Sequence, residues 1–133
     1  MSFPESFYTY LAANSTITAT LASANAIWPE YIPQSHDGFP AMTYSLADDE
    51  DVNLLDGGVS DSSVAVMQLS IYDRSFKSVN DAASAVKSEL IGYRGAMGSH
   101  TVDHVMKDGE ITLPPEGDTG LLGVRLTFRL NYY

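Results

Sequence analysis

Two histidines and an aspartate, His100, Asp103 and His104, are the residues of this sequence whose types and spacing most resemble a metal site. Residues four apart share a face on a helix or a strand, and imidazole and carboxylate groups both bind zinc. A zinc site usually needs about three or four protein ligands with a supporting second shell. The remaining histidine, His36, lies in a distant predicted loop. The sequence therefore favours two half-exposed strand histidines, and we predict no metal site.

A run of acids forms the second candidate, a calcium loop. The acids are Asp48, Asp49, Glu50, Asp51 and Asp56. A calcium-binding EF-hand loop has acids at alternate positions, a central glycine and a closing glutamate. Here four acids are consecutive and the closing position holds Val59, so the pattern fails. We predict instead a long, acidic, solvated loop over residues 48–63, and loops of that length tend to be functional or disordered.

The common catalytic patterns are missing from the sequence. It has no cysteine, which excludes disulfides, thiolate metal sites and cysteine nucleophiles. No Gly-x-Ser-x-Gly segment frames a serine. The glycine-rich residues 92–98 lack the lysine and the strand-to-helix context of a phosphate-binding loop. We predict that the protein is not an enzyme and has no catalytic residues and no cofactor.

The charge is divided unevenly along the chain. The 17 acids exceed the 7 bases, giving a net charge of −10. Residues 1–73 hold ten acids and no lysine or arginine, while residues 74–133 hold seven acids and seven bases. Such a surface repels phosphate, so sequence-specific nucleic-acid binding is not expected. The asymmetry suits docking of one subunit half against another, and solubility alone is the alternative explanation.

A length of 133 residues fits one domain, residues 1–133. No stretch approaches the ~20 apolar residues of a membrane span, so no membrane association is expected. The N-terminus lacks the positive start and apolar run of a signal peptide. We therefore expect a soluble protein made in the cytoplasm.

The hydrophobic pattern predicts an α+β fold with a mainly antiparallel sheet and helices packed on one face. Ser2 is a candidate N-cap for a first short helix ending near Ala13, and a second helix is predicted through Ala22. Strands are predicted over residues 26–33 (an edge strand interrupted by prolines), 40–46, 64–73, 101–106 and 123–133. A turn is predicted at Asp108-Gly109.

One longer helix is predicted after the third strand. Ser75 or Ser78 would cap it, and it would end near Gly92. Its apolar stripe consists of Val79, Ala82, Ala83, Val86 and Leu90. Lys77, Asp81, Ser84 and Lys87 are predicted to face away from the sheet. The sheet face beneath the stripe is predicted to contain Leu69, Ile71, Leu126 and Phe128.

The order of these segments resembles the tail-completion family of long-tailed phages and phage-derived particles, also called tail-terminator or head-to-tail joining proteins. The segments that carry the resemblance are the short N-terminal helices leading into Ala26-Ile27-Trp28-Pro29, then Phe39-Pro40-Ala41-Met42-Thr43-Tyr44, Val66 to Asp73, Ser78 to Val86, and Gly123 to Tyr132. The resemblance covers nearly the full length and rests on order and spacing. The acidic loop is longer than the family pattern, and residues 93–116 do not align.

The resemblance implies a homo-oligomeric ring, typically a hexamer, which caps the tail tube and presents a surface to the head connector. Its partners would be the tail tube protein and the head–tail connector protein, and its location the tail or neck of a virion assembled in the bacterial cytoplasm. DNA would pass through an acidic channel without being bound. Other neck or tube proteins, of the head-closure or tail-tube type, and a small-molecule-binding or catalytic α+β domain remain as alternatives.

The sheet is the predicted route of assembly, because a long strand with an open edge needs either protection or a partner. The last strand carries two arginines in a chain whose other half is acidic, and the acidic loop contains apolar residues suited to docking. The predicted subunit-interface residues are Arg125, Arg129, Asp48, Asp49, Glu50, Asp51, Leu54 and Leu55.

Overall fold

The computed structural model describes residues 2–23, 25–33, 38–53, 59–115, 117 and 119–133, and for residues 50–53 and 59–62 it describes the backbone. Within these residues the chain forms three helices and six strands. In chain order they are α1 (Phe3–Ala13), α2 (Ser15–Thr18), β1 (Ile27–Pro29), β2 (Ala41–Asn53), β3 (Val59–Asp73), α3 (Phe76–Leu90), β4 (Gly95–Met97), β5 (His100–Leu113) and β6 (Leu122–Tyr132).

The six strands form one sheet in the order β1-β2-β3-β6-β5-β4. The β1–β2 pair is parallel and the other four pairs are antiparallel, so the sheet is mixed but mainly antiparallel. The order separates the two halves of the sequence. The first three strands form one side of the sheet and the last three form the other, so the acidic and the base-containing halves of the chain lie side by side.

The helices and one face of the sheet enclose a single apolar core, which confirms the predicted α+β fold. Along the central strand β3, Ala65, Met67, Leu69 and Ile71 are fully buried. Leu126 and Phe128 of β6 pair with Leu69 and Met67 and share their face. Helix α3 contacts both strands on this side.

Helix α3 begins at the first of its two candidate caps. The Ser75 side chain accepts a hydrogen bond from the backbone N–H of Ser78, satisfying one of the donors left free at a helix start. The five residues of the predicted apolar stripe are all buried. Lys87 is the exception among the residues predicted to face away, because it is half-buried and its Nζ lies 3.1 Å from a carboxylate oxygen of Glu110 on β5.

The first N-terminal helix ends at Ala13 as predicted, whereas the second is shorter than predicted. Ser2 caps α1 by accepting a hydrogen bond from the backbone N–H of Glu5, as the sequence indicated. Asn14 then caps α2 by accepting from Ile17, but α2 ends at Thr18 instead of continuing through Ala22. The Ala22 N–H donates to the carbonyl of Pro40, so this stretch connects to the start of β2 instead of completing a helical turn.

The predicted acidic loop over residues 48–63 is wrong, because most of it is strand. β2 continues through Asn53 and β3 begins at Val59, with Asp49 paired to Ala65 and Asp51 to Ser63. A register shift near Ala47 lies where the acids begin. Charged residues are tolerated here because they lie on a strand whose outer side faces solvent. The predicted interface residues Leu54 and Leu55 lie outside the described residues.

One further prediction fails near the other side of the sheet. The Asp108-Gly109 pair is not a turn, because β5 runs on to Leu113 and absorbs Asp108 as a bulge opposite β6. A bulge places one extra residue in a strand without ending it. Residues 92–98 contain the short strand β4, which pairs with the start of β5. The predicted edge strand over residues 26–33 is confirmed, shortened to β1.

Candidate assembly surface

The outer side of β2 is open along most of its length. β1 pairs only with residues 42–44, and the Glu30 N–H extends the contact by donating to the carbonyl of Tyr44 at 3.0 Å. From Ser45 onward, no described residue pairs with the outer side of β2. We call residues 45–53 the β2 edge. Leu46 is 39% exposed there, and Ala47, Asp48 and Asp49 are also exposed.

The outer side of β5 is open at its opposite end. β4 pairs only with residues 100–102, and the Gly92 N–H donates to the carbonyl of Val105 at 3.1 Å. After Val105, no described residue pairs with the outer side of β5. We call residues 106–113 the β5 edge. It carries two exposed apolar side chains, Met106 at 46% and Ile111 at 55%.

The two arginines predicted at the interface lie on the sheet face away from the helices. The prediction that their strand has an open edge is wrong, because β6 is paired on both sides, with β3 and β5. The Arg125 Nε donates to the Ser70 hydroxyl at 3.2 Å, and a terminal nitrogen of Arg129 lies 3.6 Å from a carboxylate oxygen of Asp108. The arginines therefore border the β5 edge instead of forming one.

Asp49, another predicted interface residue, is bonded within the chain. The Tyr132 hydroxyl lies 2.9 Å from both of its carboxylate oxygens. The Tyr132 ring stacks on Phe3 with ring centres 4.0 Å apart, and His100 contacts both rings edge-on. This cluster joins β2, β6 and the first helix, so Asp49 helps fix the position of the acidic strand. Asp48 is exposed, and the side chains of Glu50 and Asp51 lie outside the described atoms.

A compact charge cluster lies on the helix side of the β5 edge. Lys87 of α3 and Lys107 of β5 each approach the same carboxylate oxygen of Glu110 at 3.1 Å. The hydrogen bonds from Lys87 and Lys107 lower the pKa of Glu110 below its ordinary value, because they favour the ionised carboxylate. The cluster fixes the β5 edge against α3.

The histidines near the start of β5 do not come together. Val102 pairs with the buried Tyr132, whereas His104 pairs with the exposed Asn131, because Asp103 is an extra bulged residue between them. The bulge turns His100 and His104 to opposite faces of the sheet. His100 instead bonds through Nδ1 to the Ser6 hydroxyl at 2.7 Å. No group of three or more metal-binding side chains occurs among the described residues.

The Ser6–His100 pair has the residue types of a nucleophile and its base, but Ser6 is fully buried and cannot meet a substrate. Beside it lies an open groove of about 300 Å³ between α1 and β4. Its lining residues are Thr9, Tyr10, Ala13, Asn14, Ala96, Met97 and Gly98. Burial raises the pKa of Tyr10, whose hydroxyl donates to the Glu89 carbonyl, so the phenol is held as a neutral donor at neutral pH. Tyr10 is the one titratable side chain among the described residues that line the groove.

Comparison with known proteins identifies a shared fold. No family model and no curated protein matches the sequence. Among solved structures, this chain is similar to a chain of the "Virion of native gene transfer agent (GTA) particle", with a TM-score of 0.67 and 18% sequence identity. The match covers 95% of this chain and 90% of the other. In the part of the chain that is described, no helix has the length and apolar character to span a membrane.

Proposed function

We propose that this protein is a structural component of a virion, and that it forms a ring at the head-proximal end of a tail, ends the tail tube and joins it to the head connector. The observation that carries the proposal is the fold, which matches a chain of a gene transfer agent virion over 95% of the present chain. The segment order that resembles tail-completion proteins supports the same role. The two open sheet edges add a physical reason for assembly.

The inequality of the two edges supports head-to-tail assembly, of which a closed ring is one form. The β2 edge belongs to the half of the chain with ten acids and no base, and the β5 edge to the half with seven of each. Unequal surfaces associate head to tail, and such contacts close into a ring when the rotation between neighbours closes. We propose a hexamer of single-domain subunits with the tail tube protein and the head–tail connector protein as partners. In this role the protein is not an enzyme and needs no cofactor.

The charge fits a ring through which DNA passes. A net charge of −10 per chain repels phosphate groups. A channel formed by such subunits would let DNA through without holding it. We accordingly propose no sequence-specific contact with nucleic acid and a location in the tail or neck of the particle.

A second candidate, another neck or tube structural protein, is favoured by the same two edges. Head-to-tail contacts that do not close produce open helical assemblies instead of rings. A tail-tube protein would form such an open assembly, and a head-closure protein would form a different ring. Assembly size separates a closed ring from a tube.

The test is the mass and shape of the assembly formed by the full chain, measured by native mass spectrometry and electron microscopy at micromolar concentration. A hexamer of 14.4 kDa chains, about 86 kDa in total, seen as closed rings is expected. Open-ended tubes of varying length would favour the tube protein. A monomer over the whole concentration range would contradict both.

A further inference from the structure

We infer that neighbouring copies join through their sheet edges, with the β5 edge of one copy pairing antiparallel with the β2 edge of the next, so that the sheets continue around the ring. This inference rests on the proposed function, because its partner is a second copy of this chain. It adds the surface, the strands and the direction of the contact.

The backbone gives the first argument. The β2 edge is nine residues long and the β5 edge eight, and no described residue pairs with the outer side of either. Open strands of this length present rows of N–H and C=O groups that can pair with another chain. The two open stretches are nearly equal, so each can satisfy the other.

Strand direction gives the second argument. From β2 to β5 the sheet passes through three antiparallel pairs, so β2 and β5 run in opposite directions within one copy. A rotation about an axis roughly along the strands preserves these directions. It therefore brings β5 of one copy beside β2 of the next in antiparallel orientation.

The positions of the short outer strands fit a closed arrangement. β1 covers the beginning of β2, and this part of β2 lies at the same height in the sheet as the end of β5. β4 covers the beginning of β5, and this part of β5 lies at the same height as the end of β2. The open stretches are thus offset along the strand direction. A sheet that closes on itself has tilted strands and a staggered register, which an offset of this kind provides.

Side chains determine which edges meet. Asp48 and Asp49 are followed in the sequence by two more acids, so two β2 edges placed together would repel, since like charges opposite each other destabilise a strand pair. The β5 edge has no such excess of acids, because Lys107 lies on it and Lys87 and Arg129 lie beside it, against Asp108 and Glu110. Charge therefore favours the unlike pair.

The experiment uses cysteine cross-linking, for which the natural absence of cysteine makes every introduced thiol unambiguous. Ala47→Cys marks the β2 edge and Ile111→Cys marks the β5 edge, and both positions are exposed. Antiparallel pairing of the two open stretches, with Ser45 opposite Leu113, places these two residues opposite each other. The two single variants, one of them tagged, are co-expressed and treated with a short bis-maleimide that tolerates a small error in register. Ser84→Cys, exposed on α3, is the matched control. Melting curves verify that each variant is folded.

The expected result is a mixed dimer that contains Ala47→Cys and Ile111→Cys, formed severalfold more than any dimer of Ala47→Cys, Ile111→Cys or Ser84→Cys alone. A variant with both edge cysteines should give a ladder that stops at the ring size. Equal linking within a single variant, or no linking in a protein whose native mass shows a discrete ring, would overturn the edge contact and leave the ring intact. An unlimited ladder would support the edge contact and contradict the ring, whereas a monomer without links would overturn both.

Discussion

Gly98 shows how one residue controls the seating of the first helix on the sheet. Its φ is +59°, a conformation that glycine adopts without strain, and a methyl group added there would lie 2.7 Å from the Cα of Ser6 on α1. Gly98→Ala combines left-handed strain of about 1–2 kcal/mol with overpacking of about 1–3 kcal/mol. We expect a loss of roughly 2–5 kcal/mol in the free energy of unfolding, measured by urea titration.

Gly92→Ala is the matched control for this substitution. Gly92 has a φ of +81°, but no atom lies within 4 Å of the position that a methyl group would take. It therefore isolates the backbone strain from the clash, and we expect a loss of only about 1–2 kcal/mol. Equal losses for the two variants would show that α1 moves away from β4 at little cost, contrary to the close contact between Gly98 and Ser6.

At the scale of elements, α3 is the strongest test of the core. Leu90 is fully buried at the C-terminal end of its apolar stripe. Leu90→Ala should cost about 2–5 kcal/mol and lower the melting temperature by several degrees, because the cavity left behind closes only in part. Differential scanning calorimetry measures the change.

Ser84→Ala, on the exposed side of the same helix, should change the free energy of unfolding by no more than about 0.5 kcal/mol. Lys87 is a poorer control than its position in the sequence indicated, because Lys87→Ala would remove one of the two lysines that hold Glu110. Similar effects of Leu90→Ala and Ser84→Ala would mean that the helix presents a different face to the sheet.

The elements differ in how far the sequence predicts them, and the reason is physical. α3 and β6 bury one regular face each, so their periodicity appears directly in the order of apolar residues. The continuation of β2 through the acids at 48–51 has no such pattern, because its stability depends on pairing with β3. A strand of three residues such as β4 is too short to show a period. Tertiary pairing overrides local preference in both cases.

At the scale of the molecule, the uneven charge of the sequence becomes a difference between two sides of one sheet. The sequence located Arg125 and Arg129 on a long strand, but which strands lie at the edges depends on the strand order, which no residue pattern contains. The structure places the arginines next to the β5 edge and Asp48 on the β2 edge. In the proposed ring, the arginines of one copy would lie near the acids of the next.

The double variant Arg125→Glu, Arg129→Glu tests this role. It would place new acids beside Asp108 and opposite the acidic β2 edge of the next copy. We therefore expect the native mass to shift from ring toward monomer. The measurement is made at physiological ionic strength, where repulsion between charges more than about 8 Å apart is screened.

The change takes the net charge from −10 to −14, since each reversal subtracts two. Lys77→Glu with Ser84→Glu and Ser88→Glu reaches the same −14 through exposed positions on α3, subtracting two, one and one. Both variants should show a cooperative melting transition, which shows that they are folded, but only the arginine variant should lose the ring, because only it changes charge beside a paired edge. Equal dissociation would assign the effect to net charge, and an unchanged mass of the arginine variant would remove these residues from the contact.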